Sequence, residues 1–203
     1  ANWEWRWEEW RKMSDLGPEW VPDNEGVPSR KSARLLVFDS DGNILLIRGH
    51  DTHDLEHRWW FTVGGGLEPG EEARTGALRE AAEETGLRFD PESVEGPVLH
   101  RKAEFHFRNV MARQEELFFI ARIDGVRPKV QSQNLTALEL ETLDEFSWFS
   151  PSELVALAKE ETVYPLSLPD HVAAWHEKWD GTYVVLAPEG GMRGGWDRDP
   201  DPR

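Results

Sequence analysis

The chain has 203 residues, and its 39 acidic against 23 basic side chains give a formal net charge of −16 at pH 7. This length predicts one domain with extensions. The acidic balance opposes binding to a nucleic-acid backbone, which depends on Lys and Arg, but allows a small phosphate ester where metal ions supply positive charge. Cysteine is absent, which excludes disulfides and thiolate metal sites. No apolar run approaches the roughly 18 residues that span a bilayer, and no segment resembles a signal peptide, so we expect a cytoplasmic protein without membrane or nucleic-acid partners.

Residues 1–33 are predicted to be a Trp-rich extension and linker. They hold five of the eleven tryptophans, and Trp3, Trp7 and Trp10 recur at the spacing of one helix face. Aromatic stripes mostly bury area. We therefore expect this stripe to pack on the domain or on a second subunit, which would give a homodimer through the Trp-rich termini; a lid or wall over a substrate is the alternative. Glycine and proline within residues 17–30 predict a linker.

Residues 34–165 are predicted to form the main domain, which begins with strands. Apolar runs at 34–38 and 44–47 flank an Asp-Gly turn and predict a hairpin. The polar segment 49–58 holds three histidines, for which we expect a solvated loop, with a three-histidine metal site as the alternative. A strand at 59–63 then leads into three glycines.

Residues 64–87 read GGGLEPGEEARTGALREAAEETGL and organise the rest of the chain. The second half predicts a helix in which Glu80, Glu83 and Glu84 lie at i, i+3 and i+4, so three carboxylates share one face. Each like-charged pair costs roughly a few tenths of a kcal/mol at a surface, which indicates that a cation lies among them. Oxygen ligands without a thiol favour Mg²⁺ or Mn²⁺.

Beyond this motif, strands are predicted near 98–107, 114–123 and 146–149, and a loop over 125–139. A helix follows, with Ser150 as its N-cap and a proline at its first position.

The end of the chain is predicted to lie outside the main domain. Residues 166–187 form a C-terminal helix and extension, with the helix over 170–178 and Gly181 as its stop. Residues 188–203, rich in Gly, Pro, Asp and Arg, lack the apolar content to order themselves and predict a disordered tail.

The motif resembles the Nudix box, the signature of the Nudix hydrolases. From Gly65 the chain reads Gly, five residues, Glu, seven residues, Arg-Glu, two residues, Glu-Glu, one residue, Gly and Leu87, which matches the box at each fixed position. Ala81 stands where a larger aliphatic residue is usual, which affects packing more than chemistry.

The resemblance implies an α/β (α+β) fold, a Nudix-type α/β/α sandwich around a mixed β-sheet. It also implies hydrolysis of a pyrophosphate bond in a nucleoside diphosphate linked to another moiety, by in-line attack of a metal-activated water. A nucleoside triphosphate, an oxidised nucleotide and a nucleotide sugar all stay open as substrates. The alternatives are a non-catalytic nucleotide-binding regulatory or scaffold protein on the same fold, and an interaction module that uses the Trp-rich ends.

The resemblance also implies the roles of the acidic residues. The implied metal ligands are the backbone carbonyl of Gly65 and the carboxylates of Glu80, Glu83 and Glu84. The general base is not assigned to one residue, and its candidates are Glu83, Glu84 and Glu116.

The acid outside the box is predicted from strand geometry. Glu115 and Glu116 point to opposite faces of the strand at 114–123, so at most one of them joins the metal site. We predict that Glu116 joins the metal site and that Glu115 is the second candidate. The alternative is that both are solvated charges at the edge of the sheet.

Other side chains are predicted to support the site or to bind substrate. In the family's pattern, Glu71 and Arg79 brace the loop against the helix, which a bidentate Arg–carboxylate contact would achieve. One of two adjacent tryptophans is expected to stack a nucleobase while the other fills the core. The predicted substrate contacts are Arg34, Arg58 and Trp60.

Overall fold

A computed structural model describes residues 16–107, 110–132, 135 and 137–189. The predicted helix that carries Trp3, Trp7 and Trp10 lies outside the described residues, as does most of the predicted tail. The described helices and strands, in chain order, are β1 Val21–Pro22, β2 Pro28–Phe38, β3 Ile44–Asp51, β4 Asp54–Gly66, α1 Ala73–Thr85, β5 Glu95–Phe107, β6 Val110–Arg122, α2 Ala137–Thr142, β7 Leu143–Phe149, α3 Pro151–Glu160, α4 Leu168–Trp175 and β8 Val184–Val185.

The described strands form one eight-stranded mixed sheet. Its order is β7-β3-β4-β2-β6-β5-β8, with β1 paired to β2. The central strands β2 and β6 run parallel, whereas β4 pairs with β2 in the antiparallel sense. Both central strands contain uninterrupted apolar runs because they are covered on both faces.

Helices cover the two faces of the sheet, as the predicted α/β/α sandwich requires. On one face, α1 packs through the fully buried Ala77 and Ala81, whose small side chains let the helix approach the sheet. On the other face, α3 and α4 bury Leu154, Val172 and Trp175 against the same strands. The packing of α1 thus places its carboxylates next to β2 and β4.

The stop of α1 and the start of α3 follow the sequence signals, whereas α4 ends at Trp175 with His176 as its C-cap and not at the predicted Gly181. Helix α1 stops at Gly86, which has a left-handed φ of 74° and donates its N–H to the Ala82 carbonyl at 3.0 Å. Helix α3 begins at the predicted N-cap: Ser150 and Glu153 form a capping box.

Two sequence expectations about loops were wrong, and a third was correct except at its C-terminal end. The segment at 49–58 is a β-hairpin, with β3 paired to β4 from Leu46 to Asp51. The polar side chains of this segment did not predict strands, because strand preference depends mainly on packing partners that a sequence does not show. The expected linker at 17–30 contains β1 and the start of β2, and the expected loop at 125–139 runs into α2.

Candidate active site

A corner of three glycines at the end of β4 lies directly against α1. Gly64 has a φ of 137°, and a Cβ there would come within 2.2 Å of the Ala33 carbonyl oxygen, so only glycine fits. A Cβ on Gly65 would lie 2.6 Å from the carboxyl carbon of Glu80. The missing side chain is therefore what lets the Glu80 carboxylate approach the backbone.

The carboxylates of Glu80 and Glu84 on α1 are both buried. Glu84 is 2% exposed and accepts one hydrogen bond, at 2.9 Å, from the Gly64 N–H. Burial, followed by the negative charge of Glu80, raises the pKa of Glu84 well above its ordinary value. Burial also raises the pKa of Glu80, although Arg79 acts in the opposite direction. Two adjacent carboxylates with raised pKa values form a site that a cation would stabilise.

A third carboxylate comes from outside the motif. One carboxylate oxygen each of Glu80, Glu84 and Glu139 lie within 4.8 Å of one another. Glu139 belongs to α2, in the segment expected to be a loop. Sequence reasoning missed it, because it lies 55 positions after Glu84 (139 − 84) in a stretch without a motif. This oxygen-only donor set suits a hard divalent cation.

Glu83 occupies a different position from its two neighbours. Its side chain is 34% exposed, and one oxygen lies 3.1 Å from Nη1 of Arg79. Glu83 lines the same cavity as Glu80 and Glu84. Its predicted roles as metal ligand and base stay predictions.

Arg79 joins the loop to the helix, in the arrangement that the resemblance implied. Its Nε and Nη2 donate to the two carboxylate oxygens of Glu71, both at 2.9 Å, and Nη2 also donates to the Gly66 carbonyl at 3.0 Å. Its Nη1 reaches Glu80 at 2.8 Å. Hydrogen bonds from Arg79 lower the pKa of Glu71, so this carboxylate stays charged.

Glu116 lies in a buried ion-pair network. It is 2% exposed, and it accepts from Nε of Arg34 at 2.7 Å, from Nη1 of Arg101 at 2.6 Å and from the amide of Gln114. Burial alone would raise the pKa of Glu116, but the charges of Arg34 and Arg101 outweigh burial and lower the pKa to about 2. A carboxylate held in this way is a poor proton acceptor at neutral pH.

This network also reaches the glycine corner. Arg34 donates from Nη1 to the Gly64 carbonyl at 2.9 Å, and the N–H of Gly64 donates to Glu84. Glu116 therefore fixes Arg34, which in turn fixes the corner. Physical reasoning favours a positioning role for Glu116 over the predicted catalytic one. The reserve candidate, Glu115, is 41% exposed and pairs with His100 instead.

One cavity of about 940 Å³ is lined by four carboxylates, by Arg34 and by the three glycines. The four carboxylates are those of Glu80, Glu83, Glu84 and Glu139. Of the predicted substrate contacts, only Arg34 lies there. Trp60 is 3% exposed in the core of the opposite face, where its ring meets Phe149 edge-on at 5.1 Å. Because strand residues alternate between faces, Trp59 lines the cavity instead.

Arg58 is also not brought to the cavity. It is exposed, and its Nε donates to the Leu55 carbonyl at 3.0 Å within the same hairpin. The strand pairing of this hairpin, which the sequence did not reveal, holds Arg58 away from the glycine corner.

No helix in the described part of the chain combines the length and the apolarity that crossing a bilayer requires.

Comparison with known proteins gives relatives that agree with the resemblance of the motif. The NUDIX domain family matches residues 28–170. The RNA pyrophosphohydrolase of Erythrobacter litoralis is 26% identical over 151 residues, which cover 66% of this chain and 84% of that protein. The RNA pyrophosphohydrolase of Dinoroseobacter shibae is 36% identical over 75 residues, which cover 36% of this chain and 45% of that protein. The chain thus spans less than half the length of this second relative.

Among solved structures, the E. coli dihydroneopterin triphosphate pyrophosphohydrolase has a similar fold. The TM-score is 0.51 at 18% sequence identity, over 71% of this chain and 93% of that chain. The matched family domain includes the predicted main domain at 34–165, whose boundaries stay a prediction. Since the family match covers well over half of the 203 residues, the chain belongs to the NUDIX family, as its motif indicated.

Proposed function

We propose that this chain hydrolyses a pyrophosphate bond in a nucleoside diphosphate linked to another moiety, with Mg²⁺ or Mn²⁺ as its cofactor. One observation carries the proposal: the buried carboxylates of Glu80 and Glu84 and the half-buried one of Glu139 converge beside a glycine corner in a cavity that Arg34 also lines. Divalent metals are general cofactors of the family.

The residues present fit such a cation. Three carboxylates lie within ligand distance of one another, and burial raises the pKa values of Glu80 and Glu84 although Arg79 pairs with Glu80, so a cation among them would stabilise their charged forms. The Gly65 carbonyl adds a candidate fourth oxygen without a side chain in its way. When bound, the metal polarises a phosphoryl oxygen and makes a bound water more acidic.

The remaining tasks fall to side chains of this chain. Arg34 and the cavity wall orient the phosphate chain for in-line attack. Arg79 holds the loop and the helix in register, so the carboxylate oxygens keep their spacing. A carboxylate oxygen of Glu83 or Glu84 accepts the proton of the attacking water.

A substrate panel tests the proposal. Nucleoside triphosphates, oxidised nucleotides and nucleotide sugars are incubated with the full chain and Mg²⁺ or Mn²⁺, and phosphate and pyrophosphate release is measured. We expect turnover of at least one substrate, and its loss on addition of EDTA. Nucleotide binding without hydrolysis of any substrate would instead support the regulatory or scaffold alternative.

RNA with a 5′-triphosphate belongs in the same panel. The relatives from E. litoralis and D. shibae are named RNA pyrophosphohydrolases. The net charge of −16 opposes binding of the polynucleotide backbone beyond its 5′ end. We therefore keep the prediction of no nucleic-acid partner. The cytoplasmic location and the homodimer also stay predictions, which cell fractionation and sedimentation of the full chain would test.

Glu139→Gln is expected to weaken Mn²⁺ binding by roughly one to two orders of magnitude, because it removes one of three charged oxygen ligands. Titration of Mn²⁺ followed by electron paramagnetic resonance measures the affinity without turnover. Glu141→Gln, on the exposed side of the same helix, is the matched control and should bind Mn²⁺ like the wild type. Equal affinities in both variants would remove Glu139 from the site.

Arg79→Lys is expected to lower turnover by roughly 10- to 100-fold. A lysine ammonium cannot make the two parallel hydrogen bonds to Glu71 while also holding the Gly66 carbonyl. Steady-state kinetics at several Mg²⁺ concentrations give the measurement. Glu68→Gln changes an exposed carboxylate 3.9 Å from Arg79 and serves as the control, with turnover near that of the wild type.

A further inference from the structure

The segment 16–22 forms one wall of the active-site cavity, although the family match begins only at residue 28. Four of its residues line the cavity: Pro18, Glu19, Trp20 and Val21. Leu16 and Trp20 are 1% and 8% exposed, so this segment is anchored in the protein and does not lie loosely on it.

Direct contacts join this wall to the glycine corner. A Cβ on Gly66 would come within 3.0 Å of Cγ of Glu19 and 3.4 Å of Nη1 of Arg30. Arg30 pairs with Glu19 at 3.3 Å, and its guanidinium carbon lies 4.5 Å from the ring centroid of Trp20. The chain of contacts thus runs from the glycine corner to the indole ring of Trp20.

Around Trp20 the cavity wall is aromatic. Trp20, Trp59 and Tyr164 belong to one buried apolar cluster, and all three line the cavity, as does Phe61 at the edge of that cluster. Leu138 joins the same cluster one residue before Glu139. The aromatic end and the acidic end of the cavity therefore lie side by side.

The two ends suit the two halves of a nucleotide. Carboxylates with their cation hold the phosphates, while flat aromatic surfaces favour a planar heteroaromatic ring over a sugar, a polyol or an aliphatic chain. Arg30 and Arg34 lie between these ends and complement an anion there. The volume of about 940 Å³ admits both halves together.

We propose that residues 16–22, with Trp20 as the specificity-determining residue, form a wall that binds the nucleobase of the substrate. This rests on the proposed function in that it names the part of a nucleotide substrate that the same cavity recognises. The matched family domain begins at residue 28, so this part of the cavity wall lies outside it.

The test separates base recognition from hydrolysis. Equilibrium dialysis of the full chain in EDTA measures the affinities for AMP, GMP, CMP, UMP and ribose 5-phosphate, which carries no base. We expect at least one nucleotide to bind roughly 5- to 150-fold more tightly than ribose 5-phosphate, the range expected for stacking one base. Equal affinity for all five probes would overturn the proposal.

Variants then locate the recognition. Trp20→Ala should abolish most of the preference over ribose 5-phosphate, and Trp20→Phe, which keeps a ring, should restore most of it. Trp179→Ala is the control, since Trp179 packs on the opposite face of the sheet and should keep the wild-type preference. A nucleotide preference that survives in Trp20→Ala would overturn the proposal.

A measurement on the wild type covers the case in which Trp20→Ala does not fold. Bound nucleotide should slow hydrogen exchange at the amides of residues 16–22, and absence of that protection would overturn the proposal. The two hypotheses fail separately. If Trp20→Phe and Trp20→Ala hydrolyse nucleotides with an unchanged KM, base binding by residues 16–22 is rejected and the proposed function is kept. If nucleotide binding depends on Trp20 but no nucleotide is hydrolysed, the proposed function alone is rejected.

Discussion

Glu84→Gln is expected to lower turnover on the order of 10³-fold, because loss of a charged metal ligand removes several kcal/mol of transition-state stabilisation. The fold should persist. The glutamine carbonyl can still accept the Gly64 N–H, and the repulsion between Glu84 and Glu80 disappears. The metal-free variant should therefore unfold at a temperature equal to or above that of the wild type. Steady-state kinetics with Mg²⁺ and thermal unfolding in EDTA measure the two effects.

Glu72→Gln is the matched control for this variant. Glu72 is exposed and lies at the N-cap of the same helix without a side-chain capping hydrogen bond, so its replacement should leave turnover unchanged. Normal turnover in Glu84→Gln would contradict the metal assignment. A collapse of stability in Glu84→Gln would contradict the account of its buried charge.

Glu116→Gln is expected to destabilise the fold by about 3 to 5 kcal/mol, the usual cost of leaving buried charges without their partner. Arg34 and Arg101 both direct a guanidinium at Glu116, and both are buried. Urea unfolding at neutral pH gives the difference in free energy of unfolding. Glu115→Gln, one residue away but 41% exposed, is the control and should change stability by roughly 1 kcal/mol or less.

The same network predicts a pH dependence with a defined sign. The pKa of Glu116 falls from its ordinary 4.5 to about 2 in the folded protein, so the folded state binds this proton more weakly than the unfolded state. Its stabilising contribution is fully present above pH 4.5 and is lost as the pH falls towards 2. The stability difference between wild type and Glu116→Gln should therefore shrink across this range. A difference that stays constant from pH 6 to pH 3 would contradict the ion-pair account.

Local signals in the sequence were sufficient for the box and the fold class. The glycine corner, the helix carboxylates and the Gly86 stop depend on neighbours close in the chain, so spacing alone predicts them. The candidate ligand Glu139 was not predicted, because its approach to Glu84 depends on where α2 packs. Likewise, alternation separates Trp59 from Trp60 but does not say which one faces the cavity.

The surroundings of Glu116 were not predicted, for a related reason. A sequence shows that this residue is acidic and lies on a strand. It does not show that Arg101 lies opposite it on β5 or that Arg34 reaches it from β2. Whether a carboxylate acts as a base or as a counterion is decided by such partners. Electrostatic role is therefore the property that sequence patterns predict least well here.

The C-terminal strand β8 pairs in parallel with β5, and beyond it Glu189 accepts from Nε of Arg101 at 2.6 Å. Arg101 thus has two acidic partners, of which it shares Glu116 with Arg34. A protease cut in the exposed turn near Gly181 would release Glu189 and leave two buried guanidinium groups with one carboxylate between them. Removing the chain after Gly181 would in this way leave Arg34 and Arg101 with Glu116 alone, although the cut lies far from the box. Recombinant versions should therefore retain Glu189.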